Sequence, residues 1–92
     1  MITLFISSKC PDTEAALVAF KQSNIEYELV DITDSMKNLK RFLHFRDSSP
    51  FFKATKRANN VGVPSIMINE GKAFYLYEEG MDIEFLNQYE KK

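Results

Sequence analysis

The sequence has 92 residues, of which 45% are hydrophobic and one is cysteine, and its formal net charge is −1. The lone cysteine excludes an internal disulfide and a cysteine-rich zinc site, and the small net charge does not favour nucleic-acid binding. No stretch approaches the roughly 18 apolar residues of a membrane span. We therefore expect residues 1–92 to form a single soluble domain, monomeric and cytoplasmic, with no membrane or nucleic-acid partner.

The first half of the chain predicts a strand, a helix and a second strand. Residues 1–6 are apolar and β-prone, which is typical of a buried strand. Residues 11–23 repeat apolar side chains at helical spacing, and Pro11 is harmless at a first helical position. Residues 27–32 alternate as a second strand.

The second half predicts two helices, a hairpin and a last helix. These elements cover residues 36–46, 51–58, 65–68, 73–77 and 83–89. The order is β-α-β-α-α-β-β-α. A helical crossover makes the first two strands parallel, and a short turn makes the last two antiparallel. The predicted fold class is α/β, a four-stranded mixed sheet with helices on both faces.

Cys10 is the candidate nucleophile because it follows the first strand and occupies the cap position of the first predicted helix. Unpaired helical N–H groups, together with Lys9, favour thiolate over thiol. Thr13, one helical turn later, can donate its hydroxyl to the sulfur. Many cysteines are only small buried residues, but the neighbours of Cys10 are polar. We therefore take Cys10 and Thr13 as candidate catalytic residues.

Pro64 stands directly before a predicted strand, where it cannot donate to the sheet. A cis Val63–Pro64 bond costs only about 0.5–1 kcal/mol more than the trans form. In the cis form the backbone N–H and C=O of Val63 would face an extended, peptide-like substrate. Proline before a strand is ordinary, but its combination with a cysteine after the first strand is more specific.

The motifs Cys10–Thr13 and Val61–Pro64, in this element order, resemble glutaredoxins, which have a thioredoxin-like fold. Residues 30–43 are similar to a small bacterial group called glutaredoxin-related proteins. The resemblance implies that Cys10 is the nucleophile. It also implies that the residues that bind substrate are Lys9, Pro11, Val63, Pro64, Ser65 and Asp82, with Pro64 as the cis-proline.

The sequence departs from glutaredoxins at two places. Thr13 replaces the second cysteine of the dithiol motif, and residues 77–82 replace the Gly-Gly-x-Asp turn that holds one end of glutathione. The resemblance then implies a monothiol thiol-disulfide oxidoreductase that serves redox homeostasis. Cys10 would attack a glutathionylated protein disulfide, and glutathione or another low-molecular-weight thiol would be the co-substrate, with no cofactor or metal required.

Alternatives remain open at this point. Monothiol glutaredoxins can hold an iron–sulfur cluster between two chains with glutathione, and a redox sensor or adaptor would need little turnover. Residues 37–57 carry seven basic side chains and one acidic one. They form either solvated helix faces or a patch that meets an anionic molecule or a partner, which would compensate for the altered turn. Glu78 and Glu79 are interpreted as a solvated turn.

Overall fold

The computed structural model describes residues 1–89. Its sheet has four strands in the order β2-β1-β3-β4. The elements are β1 (Ile2–Ile6), α1 (Thr13–Ser23), β2 (Glu28–Asp31), α2 (Met36–Ser48), a short 3-10 helix (Pro50–Phe52), α3 (Lys53–Arg57), β3 (Ser65–Ile68), β4 (Ala73–Leu76) and a C-terminal 3-10 helix (Glu84–Tyr89). β1 pairs parallel with β2, whereas β1–β3 and β3–β4 are antiparallel. The prediction of an α/β fold with a four-stranded mixed sheet is therefore confirmed.

The central strand β1 supplies side chains to two cores because successive residues of a strand point to opposite faces. Leu4 packs on one face with Phe20 of α1 and Leu86 of the C-terminal helix. Phe5 packs on the other face with Phe42 of α2. All of these side chains are essentially inaccessible to water, and burying each contributes about 1.5–3 kcal/mol. Helices therefore cover both faces of the sheet, as the sequence predicts.

Three predicted helices differ in detail from the structure. α1 begins at Thr13, with Asp12 as its N-cap, and not at Pro11. The helix predicted over 51–58 is divided, because the Phe52 N–H bonds to the Ser49 carbonyl in a tight 3-10 turn before α3 begins. The last predicted helix is 3-10 throughout its described length.

Three chain segments meet at one end of the sheet. In the parallel pair, Ile6 at the end of β1 lies opposite Asp31 at the end of β2. In the antiparallel pair, Phe5 lies opposite Ser65, where β3 begins. The turn after β1, the turn after β2 and the loop before β3 therefore lie side by side.

Candidate functional site

The turn that joins β1 to α1 carries Cys10. The Cys10 N–H donates to the Ser7 carbonyl at 3.0 Å, and the Thr13 N–H donates to the Cys10 carbonyl at 3.2 Å. Because of this turn, α1 begins only at Thr13, so Cys10 lies outside the helix and Asp12 is the N-cap. The expectation that Cys10 itself caps the helix is wrong by two residues. The thiol is half-buried and stands just before the helix.

The side chain of Thr13 stabilises the turn that carries Cys10. Its hydroxyl donates to the carbonyl of Ser7 and accepts the N–H of Ser7 at 3.3 Å. Thr13 and Ser7 are both buried, so these bonds satisfy backbone groups that water cannot reach. The hydroxyl proton is therefore committed to Ser7. The expected hydrogen bond from Thr13 to the sulfur of Cys10 is absent from the structure for this reason.

The turn after β2 forms hydrogen bonds with the turn that carries Cys10. The Asp31 carboxylate accepts hydrogen bonds from the Thr33 N–H at 2.9 Å and from the Thr33 hydroxyl at 2.7 Å. The Thr33 and Ser7 hydroxyls are 3.0 Å apart and share a hydrogen bond. Burial alone would raise the pKa of Asp31, but the hydrogen bonds from Thr33 and Ser8 lower it overall. Asp31 is therefore ionised at neutral pH.

The loop of residues 59–64, called here the proline loop, lies against Cys10. The Sγ atom of Cys10 is 4.0 Å from the Val63 carbonyl oxygen. The Val63–Pro64 peptide bond is cis, so that prediction is confirmed. The Pro64 carbonyl accepts the N–H of Tyr77 at 3.0 Å. Within residues 1–89 the N–H of Val63 has no hydrogen-bond acceptor, so it is available to a ligand.

Two contacts hold the proline loop in place. The Arg46 guanidinium donates to the Asn60 carbonyl at 2.8 Å. Gly62 has a φ of +107°, and a Cβ there would lie 3.3 Å from the Phe52 ring. Neither contact is evident from the spacing of the sequence motifs.

Cys10 lies between two depressions of the surface. The first, called the proline-loop groove, has a volume of about 560 Å³, and its walls include Lys9, Val63 and Pro64. The second, called the helix groove, has a volume of about 710 Å³, and its walls include Pro11 and Leu17. Both volumes lie in the range of small-molecule and peptide sites. Cys10 therefore forms part of the wall of both grooves.

Four of the six predicted substrate-binding residues line these grooves: Lys9, Pro11, Val63 and Pro64. Ser65 does not, because its side chain is fully buried, and its hydroxyl has no hydrogen-bond partner among the described residues. Asp82 also lies outside both grooves. Its carboxylate accepts the N–H of Glu84 at 3.0 Å and so begins the C-terminal helix.

The basic residues of segment 37–57 do not line either groove. The Arg41 guanidinium makes two hydrogen bonds with Glu28, at 2.8 and 3.0 Å, and a longer one with Glu70. Lys56 lies 3.9 Å from Asp47. The basic residues that were expected to compensate for the altered turn at residues 77–82 are therefore not part of either groove wall.

The sequence motifs did not identify several groove residues. Glu78 is exposed, as expected, and it also lines the proline-loop groove together with Val61 and Leu76. Its position could have been inferred, since β4 runs antiparallel to β3 and therefore ends where β3 begins, beside the proline loop. Within residues 1–89 no group of three or more His, Cys, Asp or Glu side chains could hold a metal ion.

Comparison with known proteins gives one informative match. An uncharacterized protein of Haemophilus influenzae is 34% identical over 68 residues, which cover 74% of this chain and 79% of the Haemophilus protein. The chain belongs to the same family as this Haemophilus protein. No family model matches the sequence, and no solved structure matches it. The name of this relative states no activity.

Among residues 1–89, no helix is long and apolar enough to cross a membrane.

Proposed function

We propose that this protein is a monothiol thiol-disulfide oxidoreductase of the glutaredoxin type, with a thioredoxin-like fold and a cytoplasmic site of action. The observation that carries the proposal is the placement of Cys10. Its half-buried sulfur lies between two grooves and 4.0 Å from the carbonyl of Val63, the residue before Pro64. A thiol that was only a packing residue would lie among apolar side chains, but this one borders Lys9 and Asp12.

The reaction proceeds in two exchanges. In the first, the Cys10 thiolate attacks one sulfur of a mixed disulfide, for which a glutathionylated protein is the expected example. A new S–S bond forms on Cys10, the old S–S bond breaks, and the protein thiolate leaves and takes a proton from water. Cys10 is thereby oxidised to a mixed disulfide, and the substrate is reduced to a thiol.

The second exchange restores the enzyme. Because the chain has one cysteine, a low-molecular-weight thiol must attack the sulfur bonded to Cys10. The Cys10 thiolate then leaves, and the attacking thiol departs in a disulfide with the captured group. Over the cycle one molecule of thiol is consumed, and it leaves as a disulfide with the captured group while the substrate protein is released as a thiol, so no further reductant is needed.

Three residues near Cys10 have separate roles in this reaction. Lys9 stabilises negative charge on the sulfur and on a leaving thiolate, since it lines both grooves beside Cys10. The free N–H of Val63 and its carbonyl can pair with the backbone of an extended substrate. Thr13 acts through Ser7 by holding the turn that presents the thiol, so it is a positioning residue.

Intact-mass spectrometry after exposure to a panel of low-molecular-weight disulfides tests the proposal. We expect one adduct per chain on the wild-type protein, removal of that adduct by free thiol, and no adduct on Cys10→Ser. A wild-type protein that forms adducts no faster than an unstructured cysteine peptide would contradict the proposal. An adduct that forms quickly but resists removal by thiol would indicate a sensor instead of an enzyme.

A further inference from the structure

The charged side chains around Cys10 are mostly acidic. Asp12 and Glu78 line the proline-loop groove, and Glu14 and Asp31 line the helix groove. Lys9 is the one basic residue in either lining, both of which consist of described residues. The surroundings of the thiol thus hold four carboxylates and one ammonium group. Grooves with one predominant sign of charge concentrate ligands of the opposite sign.

The basic residues of α2 and α3 do not line the proline-loop groove. α3 contributes Thr55 to the proline-loop groove, whereas Lys53, Lys56 and Arg57 are not part of its lining. Arg46 is bound to the carbonyl of Asn60 and lies outside the groove. A ligand with two carboxylates, such as glutathione, would therefore meet one favourable charge and several unfavourable ones.

The proline-loop groove also carries exposed apolar surface. Val61 is 52% exposed and Leu76 is 37% exposed, and both belong to the wall of this groove. The same groove is lined by Val63, whose N–H is free among the described residues. An apolar wall beside a free backbone donor suits an extended peptide, because the backbone pairs with the donor while side chains cover the wall.

We infer that the proline-loop groove takes an extended peptide segment whose disulfide-bonded cysteine is flanked by a lysine or an arginine. Charge complementarity with Asp12 and Glu78 selects this occupant from other peptides. The inference rests on the proposed function, since it names the substrate class of the same thiol. In turnover the Cys10 thiolate attacks the sulfur bonded to the peptide cysteine, a mixed disulfide with the small thiol forms on Cys10, and the peptide cysteine leaves from the groove as a thiolate.

Three peptides that differ at one position test the inference. Each carries a cysteine in mixed disulfide with 2-nitro-5-thiobenzoate, followed by arginine, glutamine or glutamate. In these probes the aromatic thiolate is the better leaving group, so Cys10 attacks the peptide sulfur and releases the coloured thiolate, and the second-order rate constant reports how well the groove holds the peptide. Each constant is divided by that of 2-mercaptoethanol with the same peptide, which removes differences in the intrinsic reactivity of the disulfides.

We expect the arginine peptide to react about tenfold faster than the glutamate peptide at low ionic strength, by this normalised measure, with the glutamine peptide between them. High salt shrinks the ratio, because it screens exposed charges. Glu78→Gln lowers the ratio at least twofold. The control Glu70→Gln makes the same charge change in the β3–β4 turn, at the far end of the hairpin, and leaves the ratio unchanged.

These measurements distinguish failure of the inference from failure of the proposed function. If all three peptides react faster than with 2-mercaptoethanol but at equal rates, or the glutamate peptide is fastest, the inference is overturned and the proposed function survives. An effect of Glu70→Gln as large as that of Glu78→Gln also overturns it. A charge preference found for cystamine over 2-hydroxyethyl disulfide but not among the peptides overturns the assignment to a peptide. If no disulfide reacts faster than with the reference thiol, the proposed function fails, and the inference fails with it.

Discussion

The Sγ atom of Cys10 lies 4.0 Å from the carbonyl oxygen of Val63, a residue 53 positions later in the sequence. Each of the two segments is held by its own contacts. The turn of Cys10 depends on Thr13 and Ser7, and the proline loop depends on Gly62 and its contact with Phe52. The two sides of the site can therefore be perturbed separately.

Replacing Thr13 with valine removes a hydroxyl that serves both backbone groups of Ser7. Leaving buried polar groups without partners costs about 1–3 kcal/mol, so we expect Thr13→Val to lower the free energy of unfolding by that amount. Urea denaturation followed by circular dichroism measures it. Thr13→Ser keeps the hydroxyl and is the matched control. Equal losses in the two variants would show that the methyl group, and not the hydroxyl, stabilises the turn.

Replacing Gly62 with alanine perturbs the proline loop. Gly62 has a φ of +107°, and the added Cβ would lie 3.3 Å from the ring of Phe52. Gly80 has a φ of +85°, and a Cβ there meets nothing within 4 Å. A side chain in this region of φ costs roughly 1–2 kcal/mol. We expect Gly80→Ala to lose about that much stability and Gly62→Ala clearly more, by urea denaturation. Equal losses would contradict a tight contact between the proline loop and Phe52.

The ion pair between Glu28 and Arg41 gives a pH-dependent stability. Hydrogen bonds from Arg41 lower the pKa of Glu28 below its ordinary value of 4.5. A carboxyl group with a lowered pKa stabilises the folded state fully above its unfolded value, and this stability is lost as the pH falls through the folded value. We expect the free energy of unfolding to fall less steeply between neutral pH and pH below 4.5 in Glu28→Gln than in the wild type.

The size of this effect is limited because both side chains are partly exposed. A double-mutant cycle with Glu28→Gln and Arg41→Gln should give a coupling of less than about 1 kcal/mol at neutral pH. The coupling should vanish in acid. A coupling that stays constant across this pH range would contradict the assignment of the pKa shift to Arg41.

Lys9 is the basic residue that borders Cys10 in both grooves. We expect Lys9→Gln to slow the reaction of Cys10 with oxidised glutathione by about twofold to fivefold at low ionic strength, because an anionic disulfide is attracted by this charge. Lys37→Gln makes the same charge change on an exposed residue of α2 and is the control. Equal rates in the two variants would show that the charge of Lys9 does not act on the incoming disulfide.

Much of the fold and part of the site were predictable, because they depend on local patterns. The strands follow from alternating or continuous apolar runs, and the cis bond before Pro64 was expected because that proline precedes a strand in a chain that carries a cysteine after its first strand. The start of α1 was not predictable, since it depends on the hydrogen bonds between Thr13 and Ser7. The loss of Asp82 from the site has a similar cause, because its carboxylate bonds to Glu84 instead.

The directions of the side chains could not be predicted from the sequence either. The basic residues of segment 37–57 have helical spacing, but spacing alone does not say which face of a helix meets the groove. Arg41 is directed to Glu28 on the edge strand, and Arg46 is directed to Asn60. Only the packing of α2 on the sheet decides these directions.

If Cys10 turns over disulfides, the protein must catalyse the reduction of a glutathionylated peptide by glutathione. Release of the peptide thiol is followed with the wild-type protein, with Cys10→Ser and without protein. We expect a rate proportional to the wild-type concentration, a Cys10 mixed disulfide trapped by rapid acid quench, and no catalysis by Cys10→Ser. A wild-type rate equal to the uncatalysed rate, or equal catalysis by Cys10→Ser, would contradict turnover by Cys10.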